Sequence, residues 1–216
     1  MKIGVLGTGE VGKTLANAFL ATGHYVIMGS REAASPKALA WVQAAAAGSA
    51  ASTGTFADAA KFAEVVVLVV AWEGAENALH LAGAENLAGK VVIDATNPLR
   101  FAPGLAPGLT LGHTDSGGEQ VQRWLPGAHV VKAFNSVGYS QMFKPDFPGG
   151  PPDMFICGND NGAKKTVTDI LMSFGWSTID IGGIEGSRVL EPLCVLWVDY
   201  AMRANSHSHA FKLLRK

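Results

Sequence analysis

The sequence predicts an α/β protein of the Rossmann type, with a doubly wound, mostly parallel sheet of about eight strands. Two observations favour this class. Short β-branched segments alternate along the chain with alanine-rich segments of helical character. Several of the β-branched segments, such as "EVVVLVV" at residues 64–70, are apolar without alternation. Continuous apolar runs of this length are typical of strands that helices cover on both faces.

Eight strands and six helices follow from this pattern. The predicted strands are "KIGVLG" (2–7), "YVIMGS" (25–30), a weak "TGTF" (53–56), "EVVVLVV" (64–70), "KVVIDA" (90–95), "HVVKAF" (129–134), "DMFICG" (153–158) and "STIDIG" (177–182). The predicted helices are Val11–Thr22, Pro36–Ala47, Gly74–Ala82, Gly117–Trp124, Gly162–Phe174 and a last one from Arg188 to about Asn205. The spacing of Ser116 and Glu119 fits a capping box at the start of the fourth helix.

The composition limits the class of protein. The chain is 48% hydrophobic and 16% charged, with a formal net charge of −1, which argues against nucleic-acid binding and a polybasic membrane anchor. Its longest apolar run, "VVVLVVAW" at residues 65–72, is far shorter than the roughly 20 residues of a membrane span. Cys157 and Cys194 form no CxxC motif or disulfide framework. We therefore expect a soluble, cytoplasmic protein without a membrane partner.

The domain organisation is predicted to be simple. Residues 1–183 are expected to form a nucleotide-binding Rossmann domain, and residues 184–216 a C-terminal helical segment that packs back on this domain or on a partner subunit. The Pro/Gly-rich stretch Lys144–Asp153 is the best candidate for a long functional loop.

A glycine-rich motif follows the first predicted strand and precedes the first predicted helix. In Gly7-x-Gly9-x-x-Gly12, the first glycine permits a tight turn, the second lets backbone approach a pyrophosphate, and the third allows close packing of helix on strand. The N-terminus of the helix supplies free N–H groups to the phosphates. The motif predicts a dinucleotide site that includes Gly7, Thr8, Gly9, Glu10, Val11 and Gly12.

The end of the second strand predicts which dinucleotide binds. NAD-binding folds place an acid about 20 residues after the glycines, where it binds the ribose hydroxyls. Here Ser30 and Arg31 occupy that place. A hydroxyl and a guanidinium bind a 2′-phosphate, so NADP(H) is favoured, with Thr8 and Lys37 as further candidates. Glu32 leaves open the alternative that an acid binds the ribose.

Three later strand ends are predicted to line the nicotinamide half of the cofactor. Each carries short polar or small apolar side chains: Ala71 and Trp72 after the fourth strand, Thr96, Asn97 and Pro98 after the fifth, and Ala133, Phe134 and Asn135 after the sixth. Each cluster alone is also compatible with an ordinary turn, and Trp72 with a core residue. Because all three clusters are expected at the same edge of the sheet, together they favour a ligand-binding site.

The sequence offers little acid–base machinery beside these residues. It lacks a YxxxK motif, and only His113 and Lys132 come into question as proton donors. His207 and His209 have the spacing of a metal site, but no nearby carboxylate or cysteine supports one, so we expect a polar tail and no metal. A site built to align two ligands suits hydride transfer, in which alignment at about 3–3.5 Å supplies much of the catalysis.

The segments "GTGEVGKTLANAFLATGHYVIMGSRE", "ATNPL" and "VVKAFNS" resemble the NADPH-dependent reductases of the deazaflavin coenzyme F420. They are also similar to the cytosolic oxidoreductase domain of the STEAP metalloreductases, which pass hydride from NADPH to a flavin. The resemblance implies that Thr8, Ser30 and Arg31 bind the 2′-phosphate. It further implies a homodimer and an apolar cavity for an acceptor that is F420 or a flavin such as FMN or FAD.

Two other functions stay open at this stage. One is an NADPH-dependent reductase of a small imine or hydroxyacid; such enzymes add a long helical domain, for which the residues after the last strand are too few. The other is a non-catalytic NADPH-binding sensor or interaction module, because fold and cofactor do not prove turnover. Tight NADPH binding without oxidation by any acceptor would identify the sensor.

Overall fold

The computed structural model describes residues 1–45 and 47–216. The strands are β1 (Lys2–Leu6), β2 (Tyr25–Ser30), β3 (Ala51–Thr55), β4 (Val65–Leu68), β5 (Val91–Asp94), β6 (Leu99–Arg100), β7 (Gly108–Leu109), β8 (His129–Lys132), β9 (Asp153–Gly158) and β10 (Ser177–Asp180). The helices are α1 (Glu10–Ala21), α2 (Pro36–Ala45), α3 (Phe56–Phe62), α4 (Ala75–Ala82), α5 (Ala84–Leu87), α6 (Gly117–Trp124), α7 (Asn161–Ser173) and α8 (Ser187–Ala204).

One eight-stranded sheet organises the molecule, in the order β10-β9-β8-β5-β4-β1-β2-β3. The six strands from β8 to β3 pair in parallel. β9 runs antiparallel to β8, with Cys157 opposite Lys132, and β10 is parallel to β9. The predicted fold class, a mostly parallel sheet of about eight strands with a C-terminal helix, is confirmed.

The sheet is buried on both faces, as the non-alternating strands predict. In β4, Val65 and Val67 belong to one hydrophobic core, and Val66 and Leu68 belong to the other. The first core packs under α1, α2 and α7, through side chains such as Leu15, Phe19, Trp41 and Ile170. The second packs under α3, α4, α5 and α6, through side chains such as Phe56, Leu79, Leu87 and Val121.

The predicted elements differ from the structure mainly where segments are short. Phe56, placed at the end of a strand, instead opens α3, which the sequence prediction omitted. Thr55 caps this helix in a capping box with Asp58. The four-residue α5 and the two-stranded ribbon of β6 and β7 were also missed. The second helix was predicted to reach Ala47 and ends at Ala45; Ala46 lies outside the described residues.

The chain after α8 folds back on the molecule. The Trp197 indole Nε1 donates to the carbonyl oxygen of His209 at 2.9 Å, and the two rings stack with centroids 4.4 Å apart. The Asp153 N–H donates to the carbonyl oxygen of Phe211 at 2.9 Å. The segment that was expected to be a polar tail is therefore packed against α8 and the start of β9.

Two negative findings apply to the described residues alone. Within residues 1–45 and 47–216, no group of three or more His, Cys, Asp or Glu side chains is arranged to hold a metal ion. No helix there is long and apolar enough to cross a membrane.

Candidate functional site

The site lies at the carboxyl edge of the parallel strands. β1 sits between β2 and β4, so the strand order reverses at β1 and a crevice opens between the chain segments that leave β1 and β4. Ligands of open α/β sheets bind at this reversal. Gly7, the first glycine of the motif, follows β1 directly and lines a cavity at this edge of the sheet.

The three glycines of the motif differ in what surrounds them. Gly7 has a φ of +138°, and a Cβ there would lie 2.7 Å from the carbonyl oxygen of Val69. A Cβ on Gly12 would lie 2.5 Å from the carbonyl oxygen of Gly7. Gly9 has an ordinary φ of −76°, and a Cβ on it would meet no protein atom within 4 Å. Protein packing thus requires Gly7 and Gly12, whereas Gly9 borders open space at the start of α1.

A cavity of about 810 Å³ extends from this loop to the end of β2. It joins predicted residues that are far apart in sequence: Gly7, Thr8, Ser30, Arg31, Lys37 and Ala71, together with Glu32, Ser35, Phe56 and Asn77. The positive charges of Arg31 and Lys37 lie at this cavity, and neither forms an ion pair within the described part of the chain. The end of the cavity at β2 therefore carries two cations that are available to an anionic ligand.

Two side chains modify this positive end. The buried Ser30 hydroxyl donates to the carbonyl oxygen of Glu32, so a ligand that accepts a proton from Ser30 must displace that bond. The Glu32 carboxylate is exposed at the cavity and lowers its net positive charge.

Glu10, at the first turn of α1, is exposed and paired with Lys13 at 2.9 Å. Val11 next to it packs partly against the core.

A second cluster joins the ends of β5 and β8. The Asn97 Nδ2 donates to the carbonyl oxygen of Asn135 at 2.8 Å, and the Asn135 Nδ2 donates to the Asn97 Oδ1 at 3.0 Å. The Asn135 Nδ2 also donates to the carbonyl oxygen of Leu190 in α8, at 2.8 Å. The predicted residues of these two strand ends therefore do come together, in contact with the C-terminal helix.

Phe134 and Ala133 contribute backbone rather than side chain to this cluster. Both side chains are buried in the first core, where Phe134 packs 6.1 Å from the ring of Phe174. Phe134 has a φ of +62°, which is uncommon for a residue other than glycine. Backbone held in this region is a frequent feature of functional sites. The turn at Phe134 directs Asn135 toward Asn97.

Trp72 packs on Trp124 and the start of α6. Its indole stacks on Trp124 with ring centroids 5.6 Å apart. A Cβ on Gly117 would lie 3.1 Å from the Trp72 ring and 3.2 Å from Pro98, so both side chains pack on the start of α6. Ala71, one residue earlier, lines the cavity. Trp72 is half-buried at the side of the crevice, between the core and the site.

The sequence analysis missed a buried ion triad beneath the second cluster. The Lys132 Nζ lies 2.7 Å from the Asp94 Oδ2 and 2.9 Å from the Glu191 Oε1, and all three side chains are buried. Burial disfavours the charge of Lys132, but the two carboxylates outweigh it and raise the pKa of Lys132 above its ordinary value. A lysine in a parallel strand beside the end "VVID" was the available signal.

Lys132, His113 and the two cysteines do not have the environment of a reactive side chain. Lys132 is held as a cation with no exposed surface. His113 lies in an exposed turn with a φ of +59°. Burial raises the pKa of the Cys157 thiol to about 11 and that of the Cys194 thiol to about 12, which makes both poor nucleophiles.

The topology and the glycine loop at its strand reversal define a dinucleotide-binding protein of the Rossmann type. Residues 2–98 match the model of the family described as NADP oxidoreductase, coenzyme F420-dependent. The chain is 33% identical over 221 residues to the F420-dependent NADP reductase of Methanocaldococcus jannaschii, with 99% of this chain and 98% of that protein covered. The chain belongs to the F420-dependent NADP reductase family and is an NADP-dependent oxidoreductase.

Other relatives agree with this placement. Metalloreductase STEAP3 of Rattus norvegicus is 29% identical over 196 residues; the match covers 89% of this chain but 36% of that longer protein. A solved structure from Arthrobacter sp. FB24, provisionally named an F420-dependent NADP reductase, superposes with a TM-score of 0.92 at 39% identity over the whole of both chains. An imine reductase of Streptomyces aurantiacus, at 21% identity and a TM-score of 0.67 over 94% of this chain and 64% of that chain, shares the fold.

Proposed function

We propose that the protein transfers a hydride between NADPH and the deazaflavin coenzyme F420. The observation that carries the proposal is the cavity that runs from Gly7 and Thr8 of the glycine loop to Arg31 and Lys37, two cations without an ion-pair partner in the described residues. In this proposal the pyrophosphate lies on the N-terminal turn of α1 and the adenosine end lies in the cavity. A family relative of matching length carries the F420-dependent name.

The proposed donor is NADPH rather than NADH. Its 2′-phosphate would lie against Arg31, whose guanidinium binds phosphate oxygens in a forked geometry, with Lys37 and Thr8 beside it. A charge-assisted hydrogen bond contributes about 1.5–3 kcal/mol, so one such bond changes the preference by roughly one to two decades. NADH lacks the 2′-phosphate that these cations would bind. For NADH, the proposed contact with the adenosine ribose is the Glu32 carboxylate.

At the other end, the nicotinamide would lie over the strand ends that carry Asn97 and Asn135. This placement rests on the amide pair between them and on the left-handed turn at Phe134. The hydride carries its electron pair to the acceptor ring, which takes one proton from solvent. The role proposed for the Asn97 and Asn135 side chains is to align the ring.

The acceptor would lie on the far side of the nicotinamide, toward the loop Tyr139–Asp153 and α8. Gly138 packs closely on Trp197 of α8, so these two segments form one wall. A flavin is the second candidate acceptor, since the chain matches 196 residues of a metalloreductase. We further propose that residues 184–216 serve as the acceptor-side segment of a Rossmann domain formed by residues 1–183.

We also propose that the active protein is a homodimer. α8 presents a stripe of exposed apolar side chains at helical spacing, which includes Val189, Leu196 and Tyr200. Light scattering on the purified protein tests this directly. A Leu196→Glu variant should then be monomeric; a wild-type monomer at micromolar concentration would rule the homodimer out.

The acceptor is tested by mixing the protein anaerobically with NADPH and with F420, FMN or FAD in parallel reactions. We expect loss of the visible absorbance of F420 with NADPH, and a rate at least tenfold lower with NADH. Loss of absorbance with FMN or FAD but not with F420 would show that the protein reduces a flavin instead of F420. NADPH binding without reduction of any of the three would contradict hydride transfer to this class of acceptor.

A further inference from the structure

We propose that the buried triad Glu191–Lys132–Asp94 is a positioning device that fixes Asn97 and Asn135 for hydride transfer. The inference rests on the proposed function, because it assumes that the nicotinamide lies over these two asparagines. Lys132 and Glu191 then act through other residues and touch no reacting atom. The structure supports this role because hydrogen bonds, ion pairs and two chain bonds connect the triad with the two asparagines in a closed ring.

The triad combines one cation with two carboxylates, and backbone groups bind both Lys132 and Glu191. The Lys132 Nζ lies within 2.9 Å of both carboxylates and donates to the carbonyl oxygen of Thr96 at 2.9 Å. The Glu191 carboxylate accepts from the backbone N–H groups of Gly117 and Gly118, both at 2.9 Å. Those groups lie at the N-terminus of α6, whose dipole favours a negative charge. Buried charges are tolerated when they are paired and hydrogen-bonded in this way.

Thr96 is the link between the triad and the crevice. Its N–H and its Oγ1 both donate to the Asp94 Oδ1, at 2.9 Å and 2.7 Å, while its carbonyl oxygen accepts from Lys132. Every polar group of Thr96 is therefore held by the triad. Asn97 follows Thr96 directly in the chain, so the triad sets the position at which the Asn97 backbone begins.

The ring closes through α8. Asn97 binds Asn135, and the Asn135 Nδ2 donates to the carbonyl oxygen of Leu190, which precedes Glu191. A displacement of Glu191 therefore reaches the asparagines by two routes: through Lys132 and Thr96, and through Leu190. The chemistry needs such precision, because a misplacement of about 1 Å can lower a rate by roughly 10²-fold.

The arrangement does not suit a proton donor. Lys132 has no exposed surface, and its three protons face two carboxylates and a carbonyl oxygen rather than the crevice. A triad that served stability alone would not need to be connected to Asn97 through Thr96 and to Asn135 through Leu190.

The test is Glu191→Gln, which keeps the shape of the side chain and removes its charge. The matched control is Glu185→Gln, an exposed glutamate in the turn that precedes α8. Three quantities are measured: the affinity for 2′,5′-ADP, which lacks the nicotinamide; the time-resolved fluorescence anisotropy of bound NADPH, which reports motion of the nicotinamide ring; and kcat with F420.

We expect Glu191→Gln to bind 2′,5′-ADP within about twofold of wild type. The bound NADPH should gain a fast anisotropy decay, and kcat should fall by about 10²-fold. Glu185→Gln should match wild type in all three. Unchanged anisotropy and kcat, or a parallel loss of 2′,5′-ADP affinity, would overturn the positioning role.

If Glu191→Gln does not fold, Thr96→Val provides the same test. It removes one hydrogen bond to Asp94 and leaves every charge of the triad paired. A rigid nicotinamide and a wild-type kcat in Thr96→Val would again overturn the inference. Failure of the proposed function has a different signature, because wild type itself would then not reduce F420 with NADPH, whatever the variants do.

Discussion

Asn97 and Asn135 join the ends of β5 and β8 through two amide hydrogen bonds of 2.8 Å and 3.0 Å. The two residues are 38 positions apart in the chain, and Asn135 also binds α8 through Leu190. The contact makes one rigid surface from a strand end, a left-handed turn and a helix. In the proposed function this surface holds the nicotinamide half of the cofactor, while Arg31 holds the other half.

Arg31→Ala is expected to weaken NADPH binding by at least tenfold and NADH binding by less than about twofold. The physical reason is the loss of a charge-assisted bond to the 2′-phosphate, which contributes about 1.5–3 kcal/mol. Calorimetric titration with both nucleotides measures the difference. Arg203→Ala, which removes an exposed arginine paired with Asp199, is the control and should change neither affinity. Equal losses for NADPH and NADH would refute the role of Arg31.

Gly9→Val is expected to abolish nucleotide binding without unfolding the protein. A Cβ on Gly9 meets no protein atom within 4 Å, so the fold tolerates a side chain that the pyrophosphate does not. Binding of NADPH is measured together with the thermal unfolding midpoint. Gly112→Val, at another glycine with open surroundings, should keep both at the wild-type value. Retained NADPH affinity in Gly9→Val would show that the pyrophosphate lies elsewhere.

Lys132→Met is expected to lower the free energy of unfolding by about 3–5 kcal/mol, because it leaves two buried carboxylates without their cation. Urea unfolding provides the measurement. Lys165→Met removes a lysine from an exposed pair with Asp169 and should cost less than about 1 kcal/mol. If the two variants lose the same stability, the triad is less buried than the structure shows.

The ion pair between α6 and α8 should make stability depend on pH. Hydrogen bonding from Arg188 lowers the pKa of Glu119 below its ordinary value of 4.5, and a bond from Ser116 adds to the effect. Glu119 therefore binds its proton more readily in the unfolded chain. Its contribution is complete above about pH 4.5 and is lost as the pH falls through the lower, folded-state pKa.

Arg188→Ala should accordingly have a lower unfolding midpoint than wild type at neutral pH. The two midpoints should converge as the pH falls below 4.5. Thermal unfolding over a pH series provides the measurement. A difference that stays constant into the acid range would show that Arg188 stabilises the protein by packing alone.

The fold was largely predictable because its signals are local and repeated. Eight strand segments, several of them apolar without alternation, and the glycine loop predict the class, and all eight segments contribute a strand to the sheet. The helix α3 was missed because seven residues are too few for a periodic pattern, although Thr55 and Asp58 carry its capping box. The β6–β7 ribbon, with two residues per strand, has no period at all.

The positions of the candidate residues were predictable where they follow the strand order. Arg31 and Asn97 come directly after or shortly after a strand, and Gly9 precedes α1, so counting along the chain places them, while their binding roles stay predictions. The triad was not predictable, since Glu191 and Lys132 are 59 positions apart and meet only because α8 packs on α6. The packing of His209 on Trp197 likewise depends on where the tail returns.

Transfer of the hydride itself is tested most directly by isotope. NADPH that carries deuterium at one or the other face of the nicotinamide C4 is mixed anaerobically with the protein and F420, and the reduced acceptor is analysed by mass spectrometry. The account predicts that deuterium from one face alone appears in the reduced F420, because the site holds the ring in one orientation. Reduced F420 without deuterium from either face, or no reduced F420 at all, would contradict it.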